Sequence, residues 1–320
     1  MRAPVAVIGF LRKDLLEATL RNLSLADGVQ EREVFVYLSA PRNDADKPKT
    51  DAVRELAESF RKTTLPNMTI VPRDRNEGAS INIRAAVSDT VSRSEGRAIV
   101  IEDDVLVSRT FLRYMDAALD RYESDSRVWC INGHKNPHLR VPKSYPYDVY
   151  LNPINMAWGW GTWRDRWEAV NFDISDWSET LKDPGLMARL NAAGSHLPLL
   201  LGCCASGDSG TWDAQCSYHM VKNGLYAVES RWSQVKNNGM GTAGAVHTSR
   251  PNGTISKQKY YNFIPEFADY EEMMRMQGPW MHRFQYSVRD RRPVHFALRC
   301  ARRLCKSFIG PVNNEPLELH

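Results

Sequence analysis

Nowhere in this chain do apolar residues run on for the roughly 18 positions that a membrane-crossing helix needs, so its 320 residues do not read as a membrane-spanning protein. Cysteine is sparse and poorly placed for stapling. Cys130, Cys203, Cys204, Cys216, Cys300 and Cys305 contain no C-x-x-C pair, and the adjacent Cys203 and Cys204 cannot readily bridge each other. That leaves both a zinc site and a disulfide framework unsupported, and reduced thiols in a cytoplasmic setting are expected. No G-x-G-x-x-G follows the first predicted strand and no Walker P-loop is present, which counts against dinucleotide and P-loop nucleotide sites. Phosphate binding must then come through metal and arginine. A dominant charge sign is missing too: 42 Lys and Arg against 38 Asp and Glu leave a net +4, and no nucleic-acid partner is expected. The basic excess is local, with Arg283, Arg289, Arg291, Arg292, Arg299, Arg302, Arg303 and Lys306 gathered toward the C-terminus.

What is present reads as an ordinary globular chain, 42% hydrophobic and 25% charged, long enough for one large α/β domain with an extension. The apolar run Ala3 to Leu11 meets Arg12-Lys13-Asp14 where a signal peptide would place small cleavage-site residues, so it is expected to be the first strand. Strand and helix signals then alternate as in an open, mostly parallel sheet. Val5 to Phe10, Glu33 to Leu38 and Met68 to Val71 read as strands. Helical stripes at Leu15, Leu16, Thr19, Leu20, Leu23, at Val53, Leu56, Ala57, Phe60 and at Ile83, Val87, Val91 separate or follow them. In such sheets ligands bind beyond the carboxyl ends of the strands, which gathers Phe10 to Arg12, Ser39 to Arg42, Arg73 to Gly78 and Glu102 to Asp104 around one cleft.

The fourth strand signal, Ile99-Val100-Ile101, ends abruptly in Glu102-Asp103-Asp104. Three neighbouring carboxylates raise one another's pKa and repel unless a cation or a metal-bound phosphate sits among them. A metal-binding strand tip is one reading, and a solvated acidic turn is the other. Further along come the helix Arg109 to Tyr122, a strand at Val128 to Ile131, and the string Ala157-Trp158-Gly159-Trp160-Gly161-Thr162-Trp163. Indole faces supply rigid apolar area and glycines allow close backbone approach, so this string suits either a sugar-stacking wall or a buried aromatic bend.

Taken in order, Glu102-Asp103-Asp104, the Trp158 to Trp163 string, Thr211-Trp212-Asp213, Lys236-Asn237 with Gly239 and Gly241, and His247 resemble a GT-A-fold glycosyltransferase. The chain is similar to bacterial sugar transferases of surface-polysaccharide assembly, lipopolysaccharide included, and to the N-acetylglucosaminyltransferase I type, with E-D-D in place of D-x-D. The resemblance covers about the first 250 residues. It implies an α/β, Rossmann-like GT-A sheet flanked by helices over 1–250, divided into a nucleotide-sugar half (1–108) and an acceptor half (109–250); residues 251–320 read as a helical, basic C-terminal extension. It also implies Mn2+ or Mg2+ as cofactor, since a hard cation held by carboxylates stabilises the leaving diphosphate as a Lewis acid. Asp104 is then the expected direct ligand, with Glu102 and Asp103 holding water, ribose or sugar. His247 is the matching metal or phosphate contact, or else a structural histidine. Arg12, Arg75 and Asn76 would meet phosphate or ribose, and Ser39 and Arg42 the base, although lone arginines are as readily solvated. Asp213 is the expected general base of an inverting transfer, unless it merely complements a helix dipole. Trp158, Gly159, Trp160, Gly161 and Trp212 are the expected acceptor and sugar-stacking set.

Those assignments describe an EC 2.4 hexosyltransferase that takes a UDP-sugar donor and a glycan or lipid-linked acceptor. From Val294 to Ile309, Ala297, Leu298, Ala301, Leu304, Phe308 and Ile309 oppose Arg299, Arg302, Arg303 and Lys306 at helical spacing. Such a basic amphipathic helix suits a peripheral contact at the inner face of the cytoplasmic membrane, or packing on its own domain or a second subunit in a homodimer. A carbohydrate- or nucleotide-binding protein without catalysis and a nucleotidyltransferase are the competing functions. The second needs a glycine-rich loop that Gly9-Phe10-Leu11-Arg12 does not supply.

Overall fold

Period-two burial carries the architecture. In β1 (Val5–Gly9), β2 (Val34–Leu38) and β4 (Arg97–Glu102), successive side chains enter opposite cores, so these strands are apolar on both faces. The structure, a computed structural model, describes residues 2–137, 139, 141–207, 211–242 and 257–284, with side chains through 277. His247 and the expected basic helix at 294–309 lie outside the described residues. Among those described, no helix is long and apolar enough to cross a membrane.

Chain order after β1 runs α1 (Lys13–Ser24), β2, α2 (Lys47–Thr63), β3 (Met68–Pro72), α3 (Ala79–Arg93), β4, β5 (Val105–Val107), α4 (Phe111–Tyr122), β6 (Val128–Asn132), β7 (Val149–Asn152) and β8 (Trp160–Trp163). Five helices follow: α5 (Arg164–Glu168), α6 (Trp177–Thr180), α7 (Pro184–Ala193), α8 (Leu197–Ala205) and α9 (Trp212–Asn223). Last come β9 (Tyr226–Ser230), β10 (Val235–Asn237) and α10 (Tyr270–Phe284).

Eight strands form one sheet in the order β3-β2-β1-β4-β8-β6-β9-β7. β1 to β4 are mutually parallel, β6 and β9 share their direction, and β8 and β7 run against them. This mixed α/β, mostly parallel sheet flanked by helices is the layering the GT-A resemblance implies. It crosses the 108/109 boundary without a break, because β8 and β6 continue it beyond β4.

One core packs Val5, Val7, Val34, Val36, Ile99 and Ile101 against Leu16, Leu20 and Leu23 of α1 and Phe111, Met115 and Leu119 of α4. The opposite core packs Ala6, Ile8, Phe35, Tyr37, Ala98 and Val100 against Ile83, Ala86 and Val87 of α3 and Trp212, Cys216 and Met220 of α9. By the same alternation Glu102 follows Val100 onto the α3 and α9 face. A separate ribbon pairs β5 with β10, Asn237 opposite Val105, directly beyond the acid tip. The described part of the 251–320 extension joins the domain: buried Gln277 of α10 donates to the Leu151 carbonyl at 3.0 Å and accepts from the Leu151 N–H, covering the edge strand β7.

Candidate active site

Parallel pairing sets Ile8 opposite Glu102, so the loop leaving β1 faces the loop leaving β4. Arg12, at the entrance to α1, spans that gap. Its Nη1 donates to Asp104 Oδ2 at 2.8 Å, its Nε to Asp103 Oδ2 at 3.4 Å, and its Nη2 to Asp103 Oδ1. Burial alone would lower the Arg12 pKa, but the pull of the two carboxylates outweighs it and the guanidinium is held more firmly charged than usual. Burial pushes the Asp103 carboxyl up to about 6 even against Arg12 and a hydrogen bond from the Phe10 backbone N–H.

The acids are also pinned from behind. Thr19 Oγ1 donates to the Asp103 carbonyl at 2.8 Å, Asn238 N–H to the Asp104 carbonyl at 2.7 Å, and Asn237 Nδ2 to Asp104 Oδ1 at 3.2 Å. Gly239 closes the cradle: a Cβ there would lie 2.3 Å from Asp104 Oδ2, nearer than any real contact.

Both oxygens of Asp103 and both of Asp104 already accept N–H donors, three of the bonds coming from one guanidinium. Among the described residues no group of three or more His, Cys, Asp or Glu is disposed to hold a metal. As arranged, each of these four oxygens accepts an N–H, and the counter-charge at the tip is the Arg12 guanidinium.

Glu102 stands apart from its neighbours. It is partly exposed, and no hydrogen-bond donor reaches it among the described residues. Protein still fills most of the space around it, and this desolvation, followed by the charges of Asp104, Asp103 and Asp213, pushes its carboxyl up to about 8. Asp213 comes from the first turn of α9, whose Trp212 and Cys216 are buried on the same sheet face as Glu102. Its charge is felt at Glu102 and also at His196, just before α8, where burial lowers the imidazole pKa and Asp213 partly restores it. His196 carried no signal in the sequence, since nothing linked residue 196 to a helix turn at 213.

Along the strand tips the expected nucleotide contacts divide. Asn82 Nδ2 donates to Ser39 Oγ at 3.0 Å, and Asn76 Nδ2 donates to the Ala40 carbonyl at 2.7 Å, so Asn76 is occupied in joining the β2 and β3 loops. Arg42 folds back onto Asp46 with Nε 2.6 Å from Oδ2, and Arg75 is exposed. The arginine built into the tip of β3 is Arg73, absent from the expected set. Its guanidinium lies 5.7 Å from the Tyr37 ring centroid, with Nε and Nη2 buried and without hydrogen-bond partners.

The tryptophan string corrects an expectation. Trp160 is fully buried, its ring stacked on Trp129 (5.9 Å, 12°) and on Trp212 (5.3 Å, 25°), so Trp160 has no free face for a sugar and Trp212 gives one of its own to the core. Gly159 and Gly161 serve packing. Gly159 has φ +66°, and a Cβ there would lie 2.8 Å from Val235, while Gly161 sits against Ala98, Met115 and Leu119. Trp158 alone of the expected stacking tryptophans is partly exposed, with the buried His134 ring edge-on to it at 4.6 Å.

No protein-family model and no curated protein matches the chain. Among solved structures, it is similar to S. aureus TarS 1-349, at 16% identity and TM-score 0.36 over 51% of this chain and 47% of that one. It is also similar to S. aureus TarS 1-349 in complex with UDP-GlcNAc, at 14% identity and TM-score 0.43 over 81% of this chain and 62% of that one. The chain therefore spans about half to three fifths of those proteins.

Proposed function

We propose that this chain is a glycosyltransferase that moves a sugar from a nucleoside-diphospho-sugar to a hydroxyl of a glycan or lipid-linked acceptor. The observation that carries this reading is the convergence of Arg12, Asp103 and Asp104 on one side of the β4 tip with Asp213 facing Glu102 on the other. Within the first group, Arg12 offers a fixed guanidinium to a leaving diphosphate. Asp213 offers a carboxylate whose charge is felt at Glu102 and His196.

From β3 to β4 is three strand steps, about 14 Å at the usual inter-strand spacing, which lets an extended nucleotide lie across the tips with its diphosphate at Arg12 and its base toward Arg73. In an inverting transfer the acceptor oxygen attacks the anomeric carbon as Asp213 takes its proton. The bond to the β-phosphate breaks, and the departing charge falls beside Arg12. Proton removal by a positioned carboxylate contributes about 10²- to 10⁴-fold. Trp158 is the ring left to stack on a sugar.

The test is a panel of nucleotide sugars, UDP-sugars first, scored by acceptor-dependent release of nucleoside diphosphate. Asp213→Asn should bind nucleotide as the wild type does and lose turnover. A competent panel with Asp213→Asn fully active would remove Asp213 from the mechanism, and silence across the panel would leave a binding protein.

A further inference from the structure

We infer that Arg12 takes the place that a divalent cation would hold at this strand tip, so that the nucleoside diphosphate is bound by a built-in guanidinium without a metal ion. The inference rests on the glycosyltransferase reading and concerns its donor site. Three of the five N–H donors of Arg12 are committed to Asp103 and Asp104. Two remain, on a side chain still 23% exposed, and a guanidinium edge matches two phosphate oxygens in a way a point charge does not.

The arginine is held in that position from three directions. Its backbone carbonyl accepts the first α1 hydrogen bond from Leu16 N–H at 2.9 Å. Asp103 is fixed through Thr19, and Asp104 through Asn237 and Asn238. A metal ion on Asp104 would sit beside a guanidinium that already holds the same carboxylate at 2.8 Å, so the two positive charges would repel. Gly239 leaves Asp104 no room to swing toward a new ligand on that side. The fit is between three fixed partners, so cation and arginine are alternatives and not companions.

The experiment measures binding by titration calorimetry of UDP, GDP, CDP, ADP and dTDP to the full chain, once with EDTA and once with excess MnCl2. The preferred nucleotide should bind with affinities within about threefold of each other in the two buffers. Arg12→Lys keeps the charge and loses the fork, and should weaken binding about tenfold or more in EDTA, with no recovery on adding manganese. Electron paramagnetic resonance should show free manganese in the presence of the nucleotide-free protein. Nucleotide binding that appears only with manganese, or manganese restoring Arg12→Lys to wild-type affinity, would overturn the inference while leaving the glycosyltransferase reading in place. No binding of any nucleoside diphosphate in either buffer would overturn that reading, and this inference with it.

Discussion

At the end of a single strand, neighbouring acids meet two different electrostatic solutions. Asp103 and Asp104 share one counter-charge, the Arg12 fork, and are held by donors from α1, β10 and the turn after it. Glu102, the last residue of β4, lacks such a fork: burial first, then the charges of Asp104, Asp103 and Asp213, push its carboxyl up to about 8. The difference teaches that a run of like charges need not be one functional unit. β4 ends at Glu102, which alternation leaves on the α3 and α9 face, while the turn that follows hands Asp103 and Asp104 to Arg12, so one set can support a leaving group while the other adjoins the base.

The largest effect that would sharpen this division is expected from Asp213→Asn: a fall of about 10²- to 10⁴-fold in turnover with unchanged nucleotide affinity, read by steady-state kinetics beside titration calorimetry. On the other side, Arg12→Ala leaves two enclosed carboxylates without their counter-charge and should lower folding stability by about 3 to 5 kcal/mol, seen as a shifted urea midpoint with little change in slope. A midpoint equal to the wild type would mean that the fork contributes nothing to the fold.

Neutralisation by burial has its own signature at His134, which is buried with Nε2 2.9 Å from Gln258 Oε1 and with Lys135 nearby. Desolvation pulls its pKa down to about 4 from the usual 6.5. Between those values the unfolded chain takes up a proton that the folded chain refuses, so stability present above pH 6.5 is lost as pH falls toward 4, by about 3 kcal/mol. Denaturation curves of His134→Gln across that window should be flatter by that amount. The smallest effect is expected at Gly239→Ala, where the added methyl must displace Asp104 or its own turn, at about 1 to 3 kcal/mol. Loss of stability without any change in nucleotide affinity would detach that cradle from the donor site.

Much of the sheet was legible because local patterns dictate it. The four parallel strands and the stripes of α1, α2, α3 and α4 follow from periods of two and 3.6, and the placing of ligand-facing loops follows from their shared direction. β8 was hidden. Its four residues include a glycine and look like an aromatic motif, and its partners β4 and β6 are remote in sequence, Trp160 pairing with Val100 and Asn132. The same distance hid the Arg12 fork. An arginine after β1 and acids after β4 each have several readings until the register of Ile8 against Glu102 brings them together. Arg73 was placed at the cleft but given no role and His196 was missed, because a lone basic residue in a loop carries no pattern, whereas Asp213 was named through the resemblance, its place at the head of a helix being the rival reading.

The indole column of Trp129, Trp160 and Trp212 has a spectroscopic consequence. Its last ring begins α9, one residue from Asp213, and the rings lie within 6 Å of their neighbours. Near-ultraviolet circular dichroism depends on such fixed aromatic geometry, so the protein carries a label-free optical gauge of whether α9 shifts when a ligand arrives.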